Sequence, residues 1–323
     1  MTVAERKAAF ERDPPAVRER ALLRFDGVDG FDVYNCSAPF LFRGRRHVFG
    51  RVERRDLWVA SRTMLFAETE PDAFERVAAF EPLPLEDPYV AVVGGEFVLG
   101  GTAVRKEGGK LASFRADFFR GPDPLHLAYF ASGPELMKDI RLAPLGPRRI
   151  GVFSRPRGED VRAKYGSEAV VGYTEISSLG GLTPEAVQAA RIVPDLFGTD
   201  EWGGCNECHP LPDGRIGVAA HLSCPGPAAS NGVPRQIYCN AAFVFDPAAH
   251  RATAPRIVAT RAMHAPAPCK VPHLDDCAFT SGFVFRPDGL VEVWSGLGDA
   301  AEGRLVLEAA GFWNAPTTEE RQP

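Results

Sequence analysis

An all-β fold, a five-bladed β-propeller with short N-terminal helices and one helical insertion, is what this sequence predicts. Three observations carry that expectation. The 323 residues include 28 prolines and 32 glycines, a density of turns that favours many short strands over long helices. A turn, then a short apolar strand ending in polar or charged residues, recurs five times, roughly every 50–75 residues, near the range of long propeller repeats. Each instance is flanked by other strand-like runs, giving about four strands per repeat.

The recurring strands are 46–53, 95–101, 149–155, 213–221 and 288–296, and their flanking runs include 58–66, 111–119, 169–176, 237–245 and 305–308. Radial repetition makes equivalent strand ends converge on a central channel. Arg51, Arg155 and His221 occupy equivalent places in their repeats, so they are expected to face one pocket. Residues 1–26 are charged and helix-prone. Ala8, Ala9 and Phe10 form one apolar edge, and Val17, Ala21, Leu22 and Leu23 another, with Pro14-Pro15 between them. They predict two short helices outside a propeller domain spanning 27–323. A surface helix is predicted over 183–190, where Thr183 suits the N-cap, Pro184 the first helical position and Glu185 the positive end of the dipole.

The stretch Leu85-Glu86-Asp87-Pro88-Tyr89 is where chemistry is first suggested. An acidic pair precedes a proline, which is expected to push Asp87 into an extended conformation. An apolar run to Val93, the turn Gly94-Gly95 and a second run at Phe97-Val98-Leu99 then predict a hairpin. A carboxylate at the start of such a strand is held by rigid sheet yet projects into a loop-rimmed cavity. An Asp-Pro turn alone also explains the stretch.

Composition and charge exclude several functions. The net charge of −5 argues against a nucleic-acid surface and against an anionic membrane surface. The N-terminus is charged and has no apolar core, the last four residues are no address tag, and no run reaches the 18 or so apolar residues of a membrane helix. Seven scattered cysteines read as reduced thiols of a cytoplasmic protein. Cys205-Asn206-Glu207-Cys208-His209 matches the C-x-x-C-H pattern, but haem attachment needs export, and zinc would need a second ligand pair. Neither metal nor cofactor is expected. No nucleophile elbow, Walker loop or dinucleotide fingerprint occurs. The segment from Lys138 to Lys164 is strongly basic within an acidic chain, and its arginines suit phosphate recognition or a solvated face.

Taken together these segments resemble a known family. Glu86-Asp87-Pro88 with its apolar run resembles the acidic signature of glycoside hydrolase family 130, the β-mannoside phosphorylases. The segment Lys138-Asp139-Ile140-Arg141 through Ser154-Arg155-Pro156 is similar to that family's Lys-Asp…His-Arg-Pro segment. Asn35-Cys36-Ser37-Ala38, the strand ending at His221, and Ser295-Gly296-Leu297-Gly298-Asp299 resemble its remaining motifs in the same order. Arg51-Val52-Glu53-Arg54-Arg55-Asp56 and Trp202-Gly203-Gly204 look like a related group in particular. That group is glycosyltransferase family 108, the β-1,2-mannoside mannosyltransferases and phosphorylases formerly filed as a domain of unknown function.

The resemblance implies a five-bladed propeller and assigns roles. Asp87 becomes the general acid. Lys138, Arg155, His221 and Tyr238 surround a phosphate, and Asn35, Arg51, Asp139 and Asp299 hold the mannose ring. The implied partners are mannose-1-phosphate, inorganic phosphate or GDP-mannose, with a mannooligosaccharide acceptor. One departure stands out: Glu201-Trp202 occupies the place of a phosphate-binding lysine, which leaves room for a nucleotide-sugar donor. An inverting phosphorylase needs only the acid, because phosphate is already an anionic nucleophile, whereas an inverting hydrolase needs a second carboxylate. A non-catalytic carbohydrate-binding propeller and a β-mannoside hydrolase are the alternatives.

Overall fold

The computed structural model describes residues 1–56, 61–108, 110–310, 312 and 313. Its strands form five sheets, the five blades of a propeller. The innermost strand of blade one is split into Asp32–Tyr34 and Phe40–Phe42, both paired to Arg45–Glu53. The innermost strands of the other blades are Glu86–Val93, Arg141–Gly146, Trp202–Pro210 and Ala278–Phe285. The five runs that recur in the sequence turn out to be equivalent. They lie in Arg45–Glu53, Glu96–Glu107, Arg149–Ser154, Ile216–Ala228 and Leu290–Leu297, the second strand of every blade. Part of the expected run 58–66 lies outside the described residues, and the rest belongs to Arg62–Glu70.

The hairpin expected after Asp87 forms with Val93 opposite Glu96. Gly94 and Gly95 both take positive φ, +60° and +83°, which a two-residue turn matching the twist of the strands requires. Apolar clusters join neighbouring blades. One links Phe153 and Tyr173 of blade three to Val218 and Phe245 of blade four, with the Tyr173 and Phe245 rings 4.6 Å apart. Val3 of the N-terminal helix Val3–Arg12 reaches the same cluster and is fully buried.

The second N-terminal helix does not form. Residues Glu19–Leu22 are a strand, paired antiparallel to Ala301–Glu308 as the outermost strand of blade five. Helix propensity is a weak prior here. The open edge of the last blade offers unpaired backbone groups, and pairing with it closes the ring. Arg304 secures the seam: it donates to both carboxylate oxygens of Asp72 in blade one, at 2.6 and 2.8 Å, and to Glu19 at 3.2 Å. The insertion helix is present as Pro184–Gln188, its Thr183 hydroxyl accepting from the Ala186 amide. A further exposed helix, Glu159–Tyr165, occupies part of the basic stretch. Among the described residues no helix is long and apolar enough to cross a membrane.

Arg304→Ala leaves Asp72 and Glu19 facing each other without their shared cation. The expected cost is about 2 kcal/mol of unfolding free energy. Chemical denaturation of the variant measures it, and an unchanged midpoint would remove the seam from the account.

Candidate active site

A cavity of roughly 440 Å³ opens where the inner strands converge. All nine residues singled out from the sequence line it: Asn35 and Arg51 from blade one, Asp87 from blade two, Lys138, Asp139 and Arg155 from blade three, His221 and Tyr238 from blade four, and Asp299 from blade five. Their convergence is a consequence of radial repetition: Asp87 opens the innermost strand of blade two, Arg51 and His221 lie on the second strands of blades one and four, and Arg155 directly follows that of blade three.

Asp87 stands in the middle of this constellation. Its Oδ1 accepts from Asn35 Nδ2 at 2.9 Å and from Arg51 Nη1 at 3.1 Å, and its Oδ2 accepts from Lys138 Nζ at 3.3 Å. The expected extended conformation is not found: φ is +49°, in the left-handed region, and the pairing register breaks between Glu86 and Tyr89. Three tertiary bonds to one buried carboxylate outweigh the local preference imposed by Pro88. Asn35, Asp139 and Asp299 adopt the same unusual backbone, with φ of +45°, +58° and +54°. Strained backbone gathered around one cavity is characteristic of functional sites, and Asn and Asp tolerate it best.

Burial alone would raise the pKa of Asp87, but the charges of Lys138 and Arg51 outweigh it and hold the carboxyl well below the usual range. Burial likewise opposes ionisation of Asp139, and Arg155, Lys138 and Arg141 overcome it. Asp299 and Glu86 are pushed up, by burial first and by the charge of Asp87 as well. His221 is lowered to about 3 by burial and by Arg155. The cavity therefore holds two ionised carboxylates, Asp87 beside Lys138 and Asp139 beside Arg155.

A cationic wall is built by Arg155, whose Nη1 donates to Asp139 at 2.8 Å and whose Nε donates to the Gly203 carbonyl at 2.6 Å. Gly204 leaves it room. A Cβ there would lie 3.0 Å from both Arg155 Cδ and His221 Cε1. The His221 ring lies between Tyr238 and Phe279, with centroids 5.6 and 5.0 Å away. Trp202 Nε1 donates to the Tyr238 hydroxyl at 3.0 Å, which leaves the hydroxyl proton free to point at a ligand. Glu201 takes no part. Its carboxylate turns outward to the amides of Val3 and Gly198 and to Arg6, so Trp202 alone lines the cavity where the resemblance places a lysine.

Several neighbours carried no usable signal in the sequence. Glu53 accepts from Lys270 Nζ at 2.6 Å and from the Tyr34 hydroxyl, and pairs with Arg51 at 3.2 Å, forming an ionic floor beneath Asp87. Glu86 pairs with Arg51 from the other side, also at 3.2 Å. Arg157 lines the cavity, and its position within a charge run gave no reason to choose it. The two cysteines of the C-x-x-C-H stretch are buried in the apolar cluster between blades three and four.

A family profile described as "Protein of unknown function (DUF1861)" matches residues 9–311. Two solved structures are similar over nearly the whole length. One is a mannose phosphorylase from Leishmania mexicana, in complex with phosphate ion; it is 39% identical, with 98% of each chain covered and a TM-score of 0.88. The other is a GDP-Man-dependent mannosyltransferase from the same organism; it is 35% identical over 99% of this chain and 98% of that one, with a TM-score of 0.89. The chain belongs to this family of mannosyltransferases and phosphorylases. Its members are carbohydrate-active enzymes. A β-1,2-mannobiose phosphorylase from Listeria innocua, 13% identical over 88% of this chain and 92% of its own with a TM-score of 0.62, shares the fold. No curated protein sequence matches.

For this member of the mannosyltransferase and phosphorylase family, Glu302 ties stability to the site. Its fully buried carboxyl accepts from the Cys36 amide at 3.1 Å, directly after Asn35. Gly296 faces the same turn, where any Cβ would strike the Asn35 amide. Burial pushes the Glu302 carboxyl up to about 7. The folded state thus holds a proton that the unfolded chain releases above about 4.3, so this contribution is full in acid and fades as pH rises through about 7. Unfolding free energy is expected to fall by about 3 kcal/mol from this group between pH 5 and 8. Comparing urea midpoints of the wild type and Glu302→Gln across that range checks it, because the variant should lose this part of the slope.

Proposed function

We propose that the protein transfers mannose, with inversion, between a mannosyl phosphate and a β-mannoside. The donor is mannose-1-phosphate or GDP-mannose, the acceptor a β-1,2-mannooligosaccharide, and phosphorolysis is the reverse reaction. The observation that carries this reading is the position of Lys138. It touches the carboxylate of Asp87 and lines the same cavity as Arg155, His221 and Tyr238. One lysine thereby joins a proton-transferring group to an anion cradle.

In the synthetic direction the bond from the anomeric carbon to the phosphate oxygen breaks, and the electron pair leaves with the phosphate or nucleoside diphosphate. Lys138 and Arg155 stabilise that charge. The acceptor hydroxyl attacks from the opposite face and gives its proton to Asp87. In phosphorolysis Asp87 returns a proton to the departing oxygen. Its low proton affinity is no obstacle. A bound phosphate neutralises Lys138, removing the largest charge that keeps Asp87 ionised. Arg51 spends its donors on Asp87, Glu53, Glu86 and Ser61, and so acts on the sugar mainly by aiming Asp87. Asp299 and Asn35 face the ring, and the Oδ1 of Asp139, which has no hydrogen-bond partner, can accept from a sugar hydroxyl.

Asp87→Asn keeps the size and most of the hydrogen bonds of the side chain but cannot shuttle a proton. Turnover with mannobiose and either donor is expected to drop about 10²–10⁴-fold, with mannose affinity little changed. Arg155→Ala should weaken donor binding and slow the reaction together. A folded Asp87→Asn protein with near-normal turnover would end this reading.

A further inference from the structure

The C-x-x-C-H stretch of the sequence has a use that neither haem nor zinc explains. Its two cysteines face the core, and Asn206 between them is the extra residue of a β-bulge: Cys205 pairs with Ala220 and Glu207 with Ala219. The bulge turns the Asn206 side chain toward His221, where its Oδ1 lies 2.8 Å from the ring Nδ1. The Asn206 carbonyl is anchored in turn by Arg141 Nε at 2.7 Å. Both side chains are nearly inaccessible, at 3% and 1% exposure, yet His221 Nε2 and Asn206 Nδ2 have no hydrogen-bond partner.

Two unpartnered atoms in one buried pair leave a choice open. With Oδ1 facing the ring, Nδ1 carries the proton and Nε2 presents a lone pair. With the amide turned over, Nδ2 donates to Nδ1, and Nε2 must carry the proton. Only the second arrangement lets a neutral His221 donate to a phosphate oxygen, and no second contact fixes the amide in the first. We propose that Asn206 is the positioning residue for His221, its amide setting the ring's tautomer so that Nε2–H donates to a bound phosphoryl oxygen. This rests on the phosphate-binding reading above. The surroundings favour a neutral ring: burial opposes an imidazolium first, and Arg155, Lys138 and Arg141 oppose it as well, against the charge of Asp139, with Tyr238 stacked on one face.

Asn206→Asp tests it, with inorganic phosphate as the probe and calorimetry as the readout. A carboxylate at this position can only accept, so Nδ1 keeps its proton and Nε2 can donate only when the ring is an imidazolium. The ratio of the variant's phosphate Kd to that of the wild type should therefore climb with pH, about tenfold between pH 6 and 8.5. A ratio that does not change with pH would overturn the assignment while leaving the phosphate site intact. A wild type that binds no phosphate would overturn both. If Asn206→Asp does not fold, Asn206→Ala serves. Phosphate affinity should fall about three- to tenfold with mannose affinity kept, and unchanged phosphate affinity would count against the proposal.

Discussion

One buried carboxylate between two cations governs this molecule. Asp87 is 4% exposed, and such a group is tolerated only if its charge is met by partners fixed in place. Arg51 and Asn35 take one oxygen, and Lys138 takes the other. Each partner is held from behind. Arg51 leans on Glu53 and Glu86, and Glu53 on Lys270. Asn35 is pinned through the neighbouring Cys36 amide by Glu302. Lys138 adjoins Asp139, which fixes Arg155. The network is a chain of alternating charges running from the floor of the cavity to its cationic wall, so a change at one end alters the proton affinity of the group at the centre.

The propeller makes such a chain possible. Its five blades each contribute to one cavity, so residues distant in sequence meet without long loops. Closing the ring with the strand Glu19–Leu22 matters for the same reason. An open last blade could drift, and Asp299 and Asn35, on opposite sides of that seam, would lose their common geometry. Glycines serve where blades come closest. Gly204 admits Arg155 and His221 side by side, and Gly296 admits Asn35.

Much of this was legible in the sequence, and the reasons differ by level. The five recurring strands announced the architecture because the second strand of a blade has a short apolar stretch that is buried and bounded by turns. Asp87, Lys138 and Arg155 were legible because their segments resemble a family's motifs, and the cavity gathers them. The closing strand was missed because Glu19–Leu22 is a mostly exposed edge, with no alternation to separate it from a helix. The backbone of Asp87 was misjudged because three bonds from distant residues override a local rule. Asn206 and Lys270 could not be chosen at all: their meaning comes from partners 15 and 217 positions away.

The proposed reaction is a single displacement in which a phosphate oxygen and a sugar hydroxyl exchange places at the anomeric carbon. Proton and phosphorus NMR of the wild-type protein with β-1,2-mannobiose and inorganic phosphate reads that step directly. Inverting phosphorolysis predicts α-mannose-1-phosphate and mannose in equal amounts, with no product when phosphate is left out. Release of free mannose alone, or a β-configured phosphate, would contradict it.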